Sequence, residues 1–338
     1  MDFYNYPHSF TLESGAILPN LTIAYCTYGT LNSNQSNVVW VCHHLSANAD
    51  VASWWPGIVG TGKVINPEKH FIICANIIGS CYGSSGPLTI NSSTQQPYRS
   101  QFPLITIKDM VQAHILLRQH LGIKNIYLLA GGSFGGHQVL EWSLFEPAII
   151  KNILLLATSA AETAWGIAAH TAQRLAIEAD ATWQNDVPNA GSKGLKAARA
   201  IGMLTYRNYA IMLQNQTDEI IEKIDNYKAS SYINYQGDKL VNRFNACSYW
   251  LLTKAMDTHN IARGRSASIA AVLKTIAQPT LIFGITSDIL CPLPEQQFLA
   301  QQIPNAVLVT IDSNYGHDGF MVESAIIETH VQQWLQQL

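Results

Sequence analysis

The sequence is short of charge. Lysine and arginine number 20 against 23 aspartates and glutamates, charged residues make up only 13% of its 338 residues, and the formal net charge is −3. With an isoelectric point near 6.4, no basic field exists to hold nucleic acid or an anionic membrane. Long apolar runs are missing too, since a bilayer span needs roughly 20 of them in succession. The opening MDFYNYPHSFTLESG has neither a basic n-region nor an apolar h-region, so the expectation is a soluble, cytoplasmic protein without membrane partners. No internal repeat is evident. Cysteine is sparse: Cys26, Cys42, Cys74, Cys81, Cys247 and Cys291 are scattered through a chain far larger than a disulfide scaffold, and buried free thiols are expected. Cys42-His43-His44 looks at first like a metal or Cys-His catalytic pair. Adjacent strand residues point to opposite faces, however, and no second cluster with zinc spacing follows, so no metal is expected.

What the sequence does contain is a series of buried-strand patterns arranged around one glycine-rich turn. Val38-Val39-Trp40-Val41-Cys42, Phe71-Ile72-Ile73-Cys74-Ala75 and Ile126-Tyr127-Leu128-Leu129-Ala130 are continuous apolar runs, as parallel strands covered on both faces should be. Phe10 to Leu18 and Leu21 to Tyr28 alternate weakly around Pro19-Asn20, which predicts an antiparallel pair at a sheet edge. Thr106 to Leu121 has helical spacing, with Asp109 in its first turn. After the third run comes Gly131-Gly132-Ser133-Phe134-Gly135-Gly136, and then the helix-like Gln138 to Trp142. Strand, glycine turn, serine, glycine turn, helix is the pattern of a nucleophile elbow, which lifts a serine hydroxyl clear of the sheet at the positive end of a helix. A plain glycine-rich turn would show the same short motif, but not these flanks.

Another strand, Lys151 to Ala157, continues the βαβα order of a doubly wound sheet. From 161 to 274 the chain is Ala-rich, amphipathic and helix-like, so residues 1–160 and 275–338 are expected to form an α/β core into which 161–274 inserts as a helical lid. Two further strands follow, Pro279 to Ile285 and Ala306 to Ile311. Ser287-Asp288 closes the first, and Asn314-Tyr315-Gly316-His317-Asp318 closes the second. The order Ser133, Asp288, His317 is the one expected of an α/β-hydrolase fold, with the serine as nucleophile, the histidine as base and the aspartate orienting the imidazole. His43, His44 and His137 compete for the role of base, but two lie in the loop after a strand and the third lies one turn into the elbow helix, so packing or supporting roles suit them better. Asp312 precedes the histidine loop and Asp318 adjoins the base, which favours Asp288. The small-residue loop Leu45 to Asp50 leaves the end of a strand, where such enzymes place one oxyanion donor; the donors are then the backbone N–H groups of Leu45 and Phe134. The irregular stretch Gly79 to Pro103 is long enough to suggest a functional loop.

With these residues placed, the chain resembles the homoserine O-acetyltransferase family. The likeness is carried by LTIAYCTYGTLN, VCHHLSANADV, WWPGIVGTGKVIN, CANIIGSCYGSSGP, FPLITIKDMV, GGSFGGHQVLEW, AARAIGMLTYR, YQGDKLVNRFNACSYWLLTKAMD, SDILCP and YGHDGF. The resemblance implies ping-pong chemistry in methionine biosynthesis: the serine takes an acetyl group from acetyl-coenzyme A, a co-substrate rather than a bound cofactor, and passes it to the hydroxyl of L-homoserine. Succinyl transfer, L-serine as acceptor, or hydrolysis by the same triad are the alternatives. It implies an acceptor pocket in which Arg199 holds the substrate carboxylate beside Tyr206, and Asp318 holds the α-amino group. It also implies a homodimer paired through the helical insertion. Phe134 stands where the family most often has methionine, His137 where methionine or glutamine is usual, and His44-Leu45-Ser46-Ala47 where alanine, leucine, threonine and glycine are usual. All of these lie near the acyl or acceptor site.

Overall fold

In the computed structural model, which describes residues 1–266 and 268–338, the apolar runs become strands of one eight-stranded sheet. They are β1 Asp2–Tyr6, β2 Leu21–Tyr28, β3 Val38–Cys42, β4 Phe71–Ala75, β5 Ile126–Gly132, β6 Ile150–Leu156, β7 Thr280–Ile285 and β8 Ala306–Ile311. In space they run in the order β1, β2, β4, β3, β5, β6, β7, β8. β2 pairs antiparallel with both β1 and β4, and the remaining pairs are parallel. Alternation sorts the strand side chains between two cores. Trp40, Leu129, Leu155 and Ile282 point to one face, while Val41, Leu128, Leu154 and Phe283 point to the other. Both faces are covered, which is why these strands are apolar throughout.

The edge departs from expectation. Leu21–Tyr28 pairs with Asp2–Tyr6, not with the segment before it. Phe10–Thr11 and Ile17–Leu18 close on each other as a small separate hairpin, because Gly15, at φ 85°, turns the chain back between them. The strand DFYNY has no fully buried residue, so it carried no core signal to be read. The stretch after Gly79 is also tied down: Ser84 Oγ and Ser85 Oγ accept the amides of Ala24 and Thr22 at 3.0 and 2.9 Å, laying this loop along β2.

Two helices flank the central strands. Helix α1, Ile107–His120, opens on a capping box in which Thr106 and Asp109 satisfy each other's amides,. Helix α2, Phe134–Phe145, follows β5 directly. Between β6 and β7 come α3 Ala164–Glu178, α4 Ser192–Tyr206, α5 Tyr209–Gln216, α6 Lys228–Val241 and α7 Ala246–Asp257. Within this set α4 packs on α3 and α6, and α3 packs on α7. Helices α8 Leu293–Gln302 and α9 Ser324–Leu335 complete the wound core.

The register decides where chemistry is possible. Cys42 lies opposite Gly131, Gly132 opposite Leu156, Leu156 opposite Phe283, and Ile285 opposite Ile311. The loops leaving β3, β5, β7 and β8 therefore emerge on one edge of the sheet, the C-terminal edge where such folds bind ligands. The far end of α2 is clamped: Arg118 Nε and Nη2 reach the Glu146 carboxylate at 3.0 and 2.8 Å, and Trp142 Nε1 donates to the same carboxylate at 2.9 Å. Removing one partner of a buried pair costs about 3–5 kcal/mol, whereas a half-exposed pair contributes about 1 kcal/mol or less. Arg118→Met is accordingly expected to lower the unfolding free energy by about 3 kcal/mol, and Lys63→Met, which breaks a half-exposed pair with Glu328, by under about 1 kcal/mol. Urea denaturation of both variants measures this, and equal losses would show that burial is not what makes the α2 clamp count.

Candidate active site

Ser133 joins β5 to α2 with φ 54° and ψ −125°, a conformation that a residue with a side chain seldom adopts. Hydrogen bonds to its amide and its carbonyl hold it there. Its amide donates to Leu156 O at 2.9 Å, and its carbonyl accepts from Gly136 N at 2.8 Å and from Thr158 Oγ1 at 2.9 Å. The neighbouring glycines serve a different purpose from the strained serine. A Cβ on Gly135 would stand 2.1 Å from the Cys42 carbonyl oxygen, so glycine here lets the elbow close against the end of β3.

The residues expected to form the triad meet. His317 Nε2 is 2.8 Å from Ser133 Oγ, and His317 Nδ1 is 2.7 Å from Asp288 Oδ2. Asp288 is itself fixed, its other oxygen accepting the amides of Leu290 and Cys291 at 2.8 and 2.9 Å. The loops carrying Asp288 and His317 are laced together by Ser287 Oγ, which donates to Ser313 O and accepts from Gly316 N. Burial disfavours the imidazolium of His317, but the Asp288 charge and hydrogen bond, joined by Asp318 and Glu162, outweigh it and raise the pKa above its ordinary value. The rivals fall elsewhere. Asp312 is exposed and accepts from Thr286 Oγ1. His137 is buried and stacks on His259 at 3.9 Å, and burial holds its pKa far below the usual range.

The amides of Leu45 and Phe134 have no hydrogen-bond partner among the described residues. Phe134 begins α2, where amides lack intrahelical acceptors. The peptide carrying the Leu45 amide is held by its other end: the His44 carbonyl accepts from His43 Nδ1 at 2.8 Å and from Ala47 N at 3.1 Å. In a trans peptide this fixes the Leu45 N–H to point the opposite way. The tautomer of His43 is pinned because its Nε2 accepts the Ile77 amide at 3.2 Å, and burial lowers its pKa to about 4, so it stays neutral. His43 is thus a support for the loop that carries the Leu45 amide.

A cavity of about 300 Å³ opens above Ser133 and His317. The insertion contributes Arg199 and Tyr206 from α4, which share a face as their spacing predicts, the guanidinium lying 5.2 Å from the ring centroid. Arg199 Nε is buried with no partner. Asp318 is also on the cavity wall. Burial raises the pKa of Asp318, a shift moderated by Arg207, His317 and Arg199. Arg207 was not anticipated from the sequence: its Nε stands 3.2 Å from Asp318 Oδ2 but off the hydrogen-bonding line. Its signal lay in plain view, as the last residue of AARAIGMLTYR. Lys239 and Arg243, at the end of α6, join the lining as well. His44, expected to pack, does so against Trp54 at 5.1 Å, yet it also lines the cavity.

Residues 37–324 match the α/β hydrolase fold family. Homoserine O-acetyltransferase of Chlorobaculum parvum is 46% identical over 97% of this chain and 93% of its own length. The enzyme of the same name from Cyclobacterium marinum is 45% identical over 93% and 89%. The chain belongs to the homoserine O-acetyltransferase family. It is an acyltransferase built on the α/β hydrolase fold. The crystal structure of esterase E22 superposes with a TM-score of 0.90 over 99% of both chains at 22% identity, a likeness of fold alone. Within the family frame, the four loops of the sheet edge and helix α4 converge on a single serine.

The electrostatics generate a test. A base must be neutral to accept the serine proton, so acylation of Ser133 is expected to fall as pH drops through the His317 pKa, which lies above the ordinary histidine value of 6.5. Asp288→Asn removes the foremost influence raising that pKa, so the midpoint should move down while turnover falls by roughly 10⁴-fold. NMR titration of the His317 imidazole in both proteins reads the midpoint directly. A midpoint unmoved by the substitution, or a turnover loss equalled by Asp312→Asn, would overturn the assignment of Asp288.

Proposed function

We propose that this chain transfers an acetyl group from acetyl-coenzyme A to the side-chain hydroxyl of L-homoserine through an acetyl-Ser133 intermediate. The observation that carries the reading is the presence, in the cavity above Ser133, of a guanidinium with an unspent buried donor, Arg199, and a carboxylate, Asp318. A zwitterionic amino acid offers the complementary charges: its carboxylate suits the planar fork of Arg199, and its ammonium suits Asp318. Relatives more than 40% identical that bear the name homoserine O-acetyltransferase support the same acceptor. The donor is supported by charge: among the described residues the cavity lining holds Arg199, Arg207, Lys239 and Arg243 against the single carboxylate Asp318, in a chain whose net charge is −3. A local positive field in an acidic protein favours a polyanionic substrate such as a coenzyme A thioester.

In the first half-reaction His317 Nε2 takes the Ser133 Oγ proton as the oxygen attacks the thioester carbonyl carbon. The oxyanion accepts the amides of Leu45 and Phe134. The carbon–sulfur bond then breaks, and the thiol leaves with the proton held by His317. In the second, the acceptor hydroxyl gives its proton to His317 and attacks the acetyl carbon. Ser133 departs with that proton, restoring the resting state. Asp288 holds the imidazole and stabilises the imidazolium in both halves. No bound cofactor or metal enters either step. We further propose a homodimer through the insertion, where Tyr209, Ile221 and Ile224 are 78%, 94% and 91% exposed.

Acceptor recognition separates cleanly from attack on the donor. Truncating one partner of a desolvated charge pair costs about 2–5 kcal/mol, so transfer to L-homoserine should fall roughly 30-fold or more in Arg199→Ala and in Asp318→Asn. Acetyl-Ser133 should still form, most cleanly in Arg199→Ala, since Asp318 adjoins the base. Rapid-quench acetylation beside steady-state transfer measures both halves. Assays of thiol release from acetyl- and succinyl-coenzyme A, each with L-homoserine, L-serine or no acceptor, choose the substrates. Release that is equally fast without acceptor would make the enzyme an esterase, and unimpaired transfer in Arg199→Ala would remove the proposed acceptor pocket.

A further inference from the structure

Arg243 lies in the turn between α6 and α7 and is exposed, yet its guanidinium has no carboxylate partner among the described residues. It reaches instead to the loop after β3. Nη1 donates to the Ser46 carbonyl and, at 2.8 Å, to the Tyr82 hydroxyl, while Nη2 is 3.4 Å from Ser46 Oγ. Among the described residues the Nη1 bond is the only hydrogen bond to the Ser46 carbonyl. The other pins of this loop belong to the core. His43 and the Ala47 amide hold the His44 carbonyl. Asn76 Oδ1 accepts the Ala49 amide at 2.7 Å, and Trp54 Nε1 donates to Asn48 O at 2.9 Å.

We propose that Arg243 is a positioning residue through which the helical insertion sets the oxyanion hole. The proposal rests on the oxyanion role given above to the Leu45 amide. The Ser46 carbonyl and the Ala47 N–H are the two ends of one planar peptide, so a guanidinium that holds the oxygen also holds that N–H against the His44 carbonyl, whose own peptide carries the Leu45 amide,. The rigid fork of a guanidinium can take the carbonyl and the hydroxyl of one residue together. Tyr82, whose own carbonyl accepts from Asn76 Nδ2 at 2.7 Å, braces the fork from the far side. Seating the turn after α6 on the core therefore adds to the hold that His43 has on the Leu45 peptide, and Arg243 acts on the reaction without touching the reacting atoms.

A guanidinium at the mouth of this cavity has one rival use, to contact a phosphate of the acyl donor, and the two uses separate with a donor that has none. The experiment is pre-steady-state acylation of Ser133 by p-nitrophenyl acetate and by acetyl-coenzyme A in the parent, Arg243→Met, Arg243→Lys and Tyr82→Phe, with Ser133→Ala as blank. Misaiming one oxyanion donor by about 1 Å costs on the order of 100-fold. Arg243→Met should slow the saturating acylation rate about 10- to 100-fold with both donors, with KM for acetyl-coenzyme A changed less than about 3-fold. Arg243→Lys, which keeps one donor for the carbonyl, should recover part of the loss, and Tyr82→Phe should lose a smaller part. An Arg243→Met protein acylated by p-nitrophenyl acetate at the parent rate, with its loss confined to KM for acetyl-coenzyme A, overturns the proposal in favour of phosphate contact. If Arg243→Met fails to fold, an Arg243→Lys burst equal to the parent's overturns it as well. Because p-nitrophenyl acetate needs neither coenzyme A nor homoserine, the proposed substrates can fail without affecting this result. A parent burst that persists in Ser133→Ala would instead remove the nucleophile, and with it the oxyanion assignment on which the proposal rests.

Discussion

The strained backbone of Ser133 is the constraint on which the rest of the site depends. Holding a residue with a side chain at φ 54° costs on the order of 1–3 kcal/mol, and such a conformation persists only where its surroundings over-determine it. Here β6 supplies an acceptor for the serine amide, and Thr158 and the first turn of α2 supply donors for its carbonyl. The same geometry brings α2 so close to the end of β3 that only glycine fits at position 135. That approach sets the Phe134 amide beside the loop carrying Leu45. One unfavourable torsion thus fixes Ser133 Oγ and the Phe134 amide together, and the Arg118–Glu146 clamp holds the other end of the helix that must not move.

Charge is distributed by a similar economy. A chain with few ionised residues places Arg199, Arg207, Lys239 and Arg243 at one cavity, and all four come from the helices and turns between β6 and β7. The insertion also approaches the base closely. Gly316, at φ 64°, precedes His317, and a Cβ there would stand 2.8 Å from the Tyr206 carbonyl oxygen. Arg199, Tyr206 and Arg207 therefore arrive at fixed distances from the triad. Arg207 approaches Asp318 without a hydrogen bond, so this ion pair offsets the carboxylate charge while leaving its oxygens free for the ammonium proposed above.

Much of this was legible in the sequence, for reasons that differ by element. Buried parallel strands declare themselves as unbroken apolar runs, so β3 to β8 are found close to their true bounds, and the C-terminal ends of β5, β7 and β8 lead directly to Ser133, Asp288 and His317. The edge was misread because Asp2–Tyr6 buries nothing fully, and its pairing with β2 is a backbone matter that side-chain alternation does not encode. Arg207 and Arg243 were passed over because each acts through a partner distant in sequence, Asp318 in one case and Ser46 in the other. His43 was read as a packing or supporting residue, and what it supports, the Leu45 peptide, depends on a tautomer that only its bond with the Ile77 amide reveals.

The triad by itself does not decide what leaves with the acyl group. Esterase E22 shares this fold closely, and an acyl-serine with a histidine beside it is open to attack by any hydroxyl that arrives. What separates transfer from hydrolysis is the competition between a captured alcohol and water. Oriented groups reach effective molarities of about 10⁵ M or more, far above the concentration of water itself, so a hydroxyl held by its own carboxylate and ammonium outruns solvent without any change in the acid–base machinery. The charges that would hold it, Arg199 and Asp318, lie outside the triad, and one of them is carried by the insertion. On the proposed function, the core can therefore keep Ser133, Asp288 and His317 unchanged while substitutions in α4 redirect the acyl group to another acceptor. His44, one of the departures from the family pattern, lies on the wall of the same cavity.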